Sequence, residues 1–309
     1  MKKTRGYLVL LFLISILSAC GADQNNSVNE EGKLSIYTTV FPLTDFVQKI
    51  GGEDVSVKSV YPPGSDAHSF EPTPRDMTDI ASADAFIYTG VGVEGFVTAA
   101  LKTLSNEKVS LIEAGAGVDF LHMEDDHHED GDHHHGDIDP HIWLDPIFSI
   151  QIAENIKNAL IELNPSGKDL YEANFLELKE QLEALNTEFT EVANTKKQKE
   201  ILVAHSAYGY WEARYGINQI SITGYSPTNE PSQKELKNMI EEVKQHNLKY
   251  ILFEQNITSK IAETVQKETG TKKLTLHNLE AVTEQEIENN EDYFSLMRQN
   301  LDTLKKALN

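Results

Sequence analysis

Residues 168–194, KDLYEANFLELKEQLEALNTEFTEVAN, decide how the rest of the chain is read. The stretch has no glycine or proline, and Leu170, Phe175, Leu178, Leu182, Leu185, Phe189 and Val192 recur on a helical period. At 1.5 Å per residue such a helix spans about 40 Å, enough to cross a whole domain. On both sides of it, short β-rich runs alternate with helical patterns. Before it come strands at 34–39, 55–60, 85–89 and 109–112. Helices are predicted at 43–50, from Thr73-Pro74-Arg75-Asp76 onward, at 93–104 and at 147–163. After it come strands at 201–204, 219–222, 250–253 and 274–276. The helices there fall at 207–215, from the capping box Ser232-Gln233-Lys234-Glu235 to about 246, at 260–269 and at 292–308. Strands separated by helices imply βαβ units and parallel sheets. The class is α/β, with one βα rhythm repeated around the long helix.

The charge balance narrows the function. The 309 residues carry 27 basic and 49 acidic side chains, a net charge of −22. That argues against nucleic acid as a partner, since binding it needs clustered Lys and Arg. One cysteine excludes a disulfide framework and a Cys-based zinc finger, but leaves metal binding through histidine open.

That cysteine closes an export signal. Lys2, Lys3 and Arg5 precede a nearly unbroken apolar run at 7–17, which ends in Leu17-Ser18-Ala19-Cys20. The run is shorter than the roughly 20 residues of a membrane-spanning helix, and reads as a signal peptide over 1–19. Its end resembles the lipobox of bacterial lipoproteins, which implies cleavage before Cys20 and lipid on its thiol. Removing residues 1–19 takes away three basic residues and no acidic one, which leaves 24 against 49, a net −25. Residues 20–32 are polar and aperiodic, and read as a lipidated flexible tether.

Six of the eleven histidines fall in one acidic stretch, HMEDDHHEDGDHHHGD at 122–137. His122, His127, His128, His133, His134 and His135 stand there among seven acids. Such a composition buries no apolar surface and reads as a disordered loop in the absence of metal. It can bind metal loosely and feed another site, or be a solvated insertion with little role.

Four further residues sit where α/β proteins place ligands, beyond the carboxyl ends of strands. His68 lies in the Pro/Gly-rich loop after the second strand, and His205 directly follows the strand at 201–204. His141 stands in Asp139-Pro140-His141-Ile142-Trp143-Leu144-Asp145-Pro146, and Glu280 follows the strand at 274–276. Three imidazoles and a carboxylate complete a tetrahedral zinc shell. Spacing alone does not make them converge. Taken singly, His68 reads as well as a turn residue, His205 as a buried histidine bonded to backbone, and His141 as part of the acidic loop.

The segments DAHSFEPTP, DPHIWLDP and AHSAYGYW, in this order, resemble the zinc- and manganese-binding lipoproteins of ABC importers, the cluster A-I or ZnuA-like solute-binding proteins. The resemblance covers about residues 33–308 and includes the lipobox, the His-rich loop, the long helix and ILFEQNITSK. It implies two α/β lobes with parallel sheets joined by a long rigid helix, with the metal in the cleft between them. The domains are then a first lobe at 33–146, a helical connector at 147–196 and a second lobe at 197–309. The family's ligands carry over to His68, His141 and His205, with an acid as the fourth. Glu280 matches best and His277 competes. A histidine at position 205, where manganese importers have a carboxylate, implies Zn²⁺ over Mn²⁺, in line with the ligand preferences of the two ions.

Asp139 and Asp145 flank His141, and either can accept a bond from its ring or shape the turns around two prolines. Glu254 ends the strand at 250–253, where it can orient a ligand or the following loop. Tyr208, Tyr210 and Trp211 read as packing. The expected protein is a monomeric, lipid-anchored receptor on the extracytoplasmic face. It hands zinc to a membrane permease driven by a cytoplasmic ATPase, with no catalysis of its own. Its affinity is expected to fall below about pH 6.5, the free imidazole value. The rivals are a manganese receptor of the same class, a surface adhesin and a zinc hydrolase; the chain has no HExxH motif for the last.

Overall fold

The structure, a computed structural model, describes residues 32–90, 92–121, 138–228, 231–255 and 260–309. In the first half, strands β1 (Leu34–Thr38), β2 (Val55–Ser59), β3 (Ala85–Tyr88) and β4 (Ser110–Glu113) form a parallel sheet in the order β2-β1-β3-β4. In the second, β5 (Glu200–His205), β6 (Asn218–Thr223), β7 (Tyr250–Phe253) and β8 (Lys272–Thr275) form another in the order β6-β5-β7-β8. The order is the same in both. Each chain half steps from its first strand outward to its second, then crosses back for its third. A crevice therefore opens beyond the carboxyl ends of β1 and β3, and another beyond β5 and β7.

The helices follow their caps. They are α1 (Phe41–Gly51), α2 (Pro74–Ala81), α3 (Val97–Leu104), α4 (Pro146–Leu163), α5 (Lys168–Thr195), α6 (Gly209–Tyr215), α7 (Gln233–Gln245), α8 (Lys260–Thr269), α9 (Glu284–Glu288) and α10 (Tyr293–Ala307). Thr73 with Asp76, and Ser232 with Glu235, close reciprocal capping boxes on α2 and α7. The short α9 was not anticipated, although Thr283 and Glu286 carry the same signature and form the same box. Helix α3 begins at Val97, not at residue 93. Glu94 is drawn out of the helix because its buried carboxylate accepts from the Thr39 hydroxyl, the Thr89 hydroxyl and the Thr89 N–H. Strand β8 sits two residues earlier than expected, as a lysine-bearing edge, and Leu276 N–H extends the pairing to Phe253.

The long helix α5 has 28 residues, about 42 Å at the standard rise. Its buried stripe is Tyr171, Phe175, Leu178, Leu182, Leu185, Phe189 and Val192, with steps that alternate between four and three. Leu170, expected in that stripe, is 44% exposed. It lies one residue off the seven-residue period, and Tyr171 takes its place.

One large apolar core runs from the first sheet through α1, α4, α5 and α10 to one face of the second sheet, where Ile201, Val203 and Leu252 point. The opposite face presents Leu202, Ala204, Ile251 and Phe253 to Met239 and Val243 of α7 and Ala262 and Val265 of α8. This makes a separate, smaller core. No helix among the described residues is long and apolar enough to cross a membrane.

Candidate metal centre

The centre is assembled from loops of the first half and from a strand end and a loop of the second. His205 is the last residue of β5 and is 1% exposed. His141 opens a single helical turn (Ile142–Leu144) and is fully buried. His68 comes from the loop after β2, where Asp66 Oδ1 accepts its N–H at 3.0 Å. Glu280 stands in the loop after β8 and is 1% exposed.

The structure brings these four side chains together. One ligand atom from each lies within 4.8 Å of all the others. Glu280 Oε1 is 3.4 Å from His68 Nε2, 3.7 Å from His141 Nε2 and 3.9 Å from His205 Nε2. The Nε2 atoms of His141 and His205 are 3.3 Å apart. Ligands 2.0–2.1 Å from a tetrahedral zinc stand about 3.3 Å from one another. The spacing therefore suits a small four-coordinate cation.

The outer ring nitrogens fix the polarity of the site. His141 Nδ1 lies 2.9 Å from Asp139 Oδ1, which also accepts the His141 backbone N–H at 3.0 Å. His205 Nδ1 bonds Glu254 Oε1. A carboxylate only accepts, so each Nδ1 carries the proton and each neutral ring turns a lone pair inward. Two lone pairs and a carboxylate oxygen then face one another in a buried space, which is repulsive without a positive charge among them. Among the described residues, His68 Nε2 and Glu280 Oε1 are buried with no hydrogen-bond partner.

Without metal, a proton takes that role. Burial alone would lower the His141 pKa, but the bonds and charges of Asp139 and Glu280 outweigh it and raise it to about 9. Burial likewise pushes Glu280 up, and the neighbouring His141, His68 and His205 outweigh it, so its carboxyl is held below the usual carboxylate range.

The other expected residues divide. Asp139 and Glu254 each touch a cluster imidazole. Asp145 does not: it accepts the Ile147 and Phe148 N–H groups as the cap of α4 and pairs with Arg214. The cap geometry two residues before Ile147 claims its oxygens. His277 does not enter the cluster either. Its Nδ1 accepts the Leu279 N–H at 2.8 Å and its Nε2 lies 3.4 Å from Glu286 Oε1. Tyr210 and Trp211 bridge the halves, with bonds to the carbonyls of Asp139 (2.7 Å) and Leu144 (2.7 Å). Gly209 is required beside them, because a Cβ there would come within 2.5 Å of Asp139 Oδ2. The sequence reading missed this approach, which leaves no local signature. Cys20 and His122, His127, His128, His133, His134 and His135 lie outside the described residues.

Comparison with known proteins places the chain in a family. Residues 36–307 match the family model of ZnuA, the zinc-uptake complex component A, periplasmic. The chain belongs to this family. It is 38% identical over 313 residues to the zinc-binding protein AdcA of Streptococcus pyogenes serotype M3, with 96% of this chain and 60% of the relative aligned. It thus spans well under two thirds of the length of that relative. It is 33% identical to the high-affinity zinc uptake system protein ZnuA of Bacillus subtilis, with 99% and 98% aligned. Among solved structures, the Zn(II)-bound ZnuA-like domain of Streptococcus pneumoniae AdcA superposes with a TM-score of 0.75 at 34% identity, covering 90% of this chain and 99% of that one. The ZnuA family fold accounts for the two parallel-sheet lobes and the long helix between them.

Proposed function

We propose that this protein is an extracytoplasmic zinc receptor, held to the membrane by lipid on Cys20, that delivers Zn²⁺ to an ABC-type permease and its cytoplasmic ATPase. The ligands are His68 and His141 of a first lobe (33–146) and His205 and Glu280 of a second (197–309), joined by the connector at 147–196. The observation that carries the reading is the buried convergence of three imidazole nitrogens and one carboxylate oxygen, two of the imidazoles being backed by carboxylates. Nitrogen predominates in that set, which favours zinc over the oxygen-seeking manganese. The curated relatives named for zinc support the same cargo.

The test is native mass spectrometry of residues 21–309, with and without 122–137, during competitive Zn²⁺/Mn²⁺ titration. One tightly held zinc that manganese does not displace, in both forms, is the expected result. Loss of the tight ion with the loop would move the site to 122–137. Tight manganese alone would change the cargo.

A further inference from the structure

Glu280 offers the centre one oxygen and keeps the other. Oε1 faces the three imidazoles, while Oε2 accepts the Ala67 N–H at 3.1 Å. The residue is fixed along its backbone as well: its N–H donates to Asn278 Oδ1 at 3.1 Å, and its carbonyl accepts the Phe41 N–H at 3.0 Å. Between them Leu279 is held at φ +59°, a left-handed conformation unusual for leucine. The turn is gripped from both sides. The Trp143 indole N–H donates to the Asn278 carbonyl at 2.8 Å, and the same ring lies edge-on to His141 with centroids 5.4 Å apart. From α10, Asn300 binds the His277 N–H at 2.7 Å and its carbonyl at 2.8 Å. Asn278 and Trp143 are not themselves among the four facing groups.

The carboxylate's attitude decides how many ligands an ion receives. Three imidazoles and one oxygen make four, the number zinc takes in tetrahedral sites. A carboxylate free to turn both oxygens inward adds a fifth contact and suits an oxygen-seeking ion with a larger shell. We infer that Asn278, tied to the first lobe by Trp143, is a positioning residue that keeps Glu280 a one-oxygen ligand and so biases the centre toward zinc and against manganese. This rests on the proposed zinc site with Glu280 in it. If Asn278 only shaped a turn, its loss would lower stability and leave metal preference alone.

The experiment uses the mature chain and two readouts. One is the ratio of Zn²⁺ to Mn²⁺ affinity by competition. The other is the visible spectrum with one equivalent of Co²⁺, intense in tetrahedral sites and weak at higher coordination. In Asn278→Ala the affinity ratio is expected to fall about tenfold, the scale typical of residues that orient metal ligands, and the cobalt absorption to weaken. Asn278→Ser, whose hydroxyl closes the same turn more weakly, recovers part of both. Trp143→Phe keeps a ring beside His141, removes only the indole donor and shifts both readouts the same way. Glu280→Gln is the control. If it alters both readouts while folded Asn278→Ala and Trp143→Phe keep the wild-type ratio and spectrum, the positioning role is overturned and the receptor reading stands. If Glu280→Gln alters neither, the ligand assignment falls and takes the inference with it.

Discussion

The two sheets share a strand order and use the same position in opposite ways. In the second sheet, β5 ends on His205, and the residue after β7 is Glu254, whose carboxylate holds the ring. In the first, the residues after β1 and β3 are Thr39 and Thr89, and both are locked by the carboxylate of Glu94. A carboxylate bonded to an imidazole leaves a lone pair facing outward. One that accepts from two hydroxyls and an N–H has three of its roughly four lone-pair sites occupied and turns no imidazole outward. The first half of the chain therefore brings His68 and His141 to the four-residue cluster from its loops, while Glu94 closes its crevice.

Removing the second crevice's own contribution should have the largest effect. His205→Ala is expected to weaken zinc binding more than about 100-fold, beyond the range of residues that only orient ligands. Calorimetry against a competing chelator measures it, and unchanged affinity would dismantle the centre. Glu254→Ala and Asp139→Ala come next, at about 10- to 100-fold each. A null effect of Glu254→Ala would mean that the crevice positions His205 without help.

The proton that Asp139 and Glu280 favour on His141 sharpens the contrast further. Zinc must displace it, so affinity should rise with pH up to about 9, by at most about tenfold per unit. The expectation of a fall beginning near 6.5 treats the ring as free; the bonds and charges of Asp139 and Glu280 move the expected onset upward. An affinity flat from pH 7.5 to 9 would restore the free-imidazole picture.

In the first crevice the same kind of carboxylate should matter for stability instead. Glu94→Ala leaves buried hydroxyls unpaired and is expected to cost about 2 kcal/mol in urea unfolding, with zinc affinity of the folded protein little changed. The smallest effect belongs to Glu286. Burial raises its pKa, and His277 and Thr283 outweigh this to hold it at about 2 against an ordinary 4.5. A carboxyl depressed in the folded state stabilises above 4.5 and loses that contribution as pH falls toward 2. Glu286→Gln should flatten the acid limb of the metal-free unfolding curve over that window.

Much of this was legible in the chain because it is local. Thr73-Pro74-Arg75-Asp76 and Ser232-Gln233-Lys234-Glu235 cap their own helices, and strand runs between them leave α/β as the natural class. Errors arose where a distant group intervened. Helix α3 starts late because Thr39, 55 residues before Glu94, competes for its side chain. Asp139 stands two residues before His141 and Asp145 four after it, yet only the fold shows that one touches the ring and the other caps a helix. His277 and Glu280, three residues apart, were separable only once the turn between them was seen. Gly209 carries no sign of its neighbour Asp139 until the halves meet.

The smaller core, nine buried side chains in and beneath α7 and α8, gives the protein a clock as well as a shape. Cooperative units with few apolar contacts open first, and this one backs the strand that ends in His205. An ion that binds only the folded arrangement adds about 4 kcal/mol at a thousand times its dissociation constant. The outer layer of the second lobe is then the part whose survival depends on cargo. With zinc in the proposed site, loaded molecules should outlast empty ones under proteolysis, and the supply of metal would then set the lifetime of its own carrier.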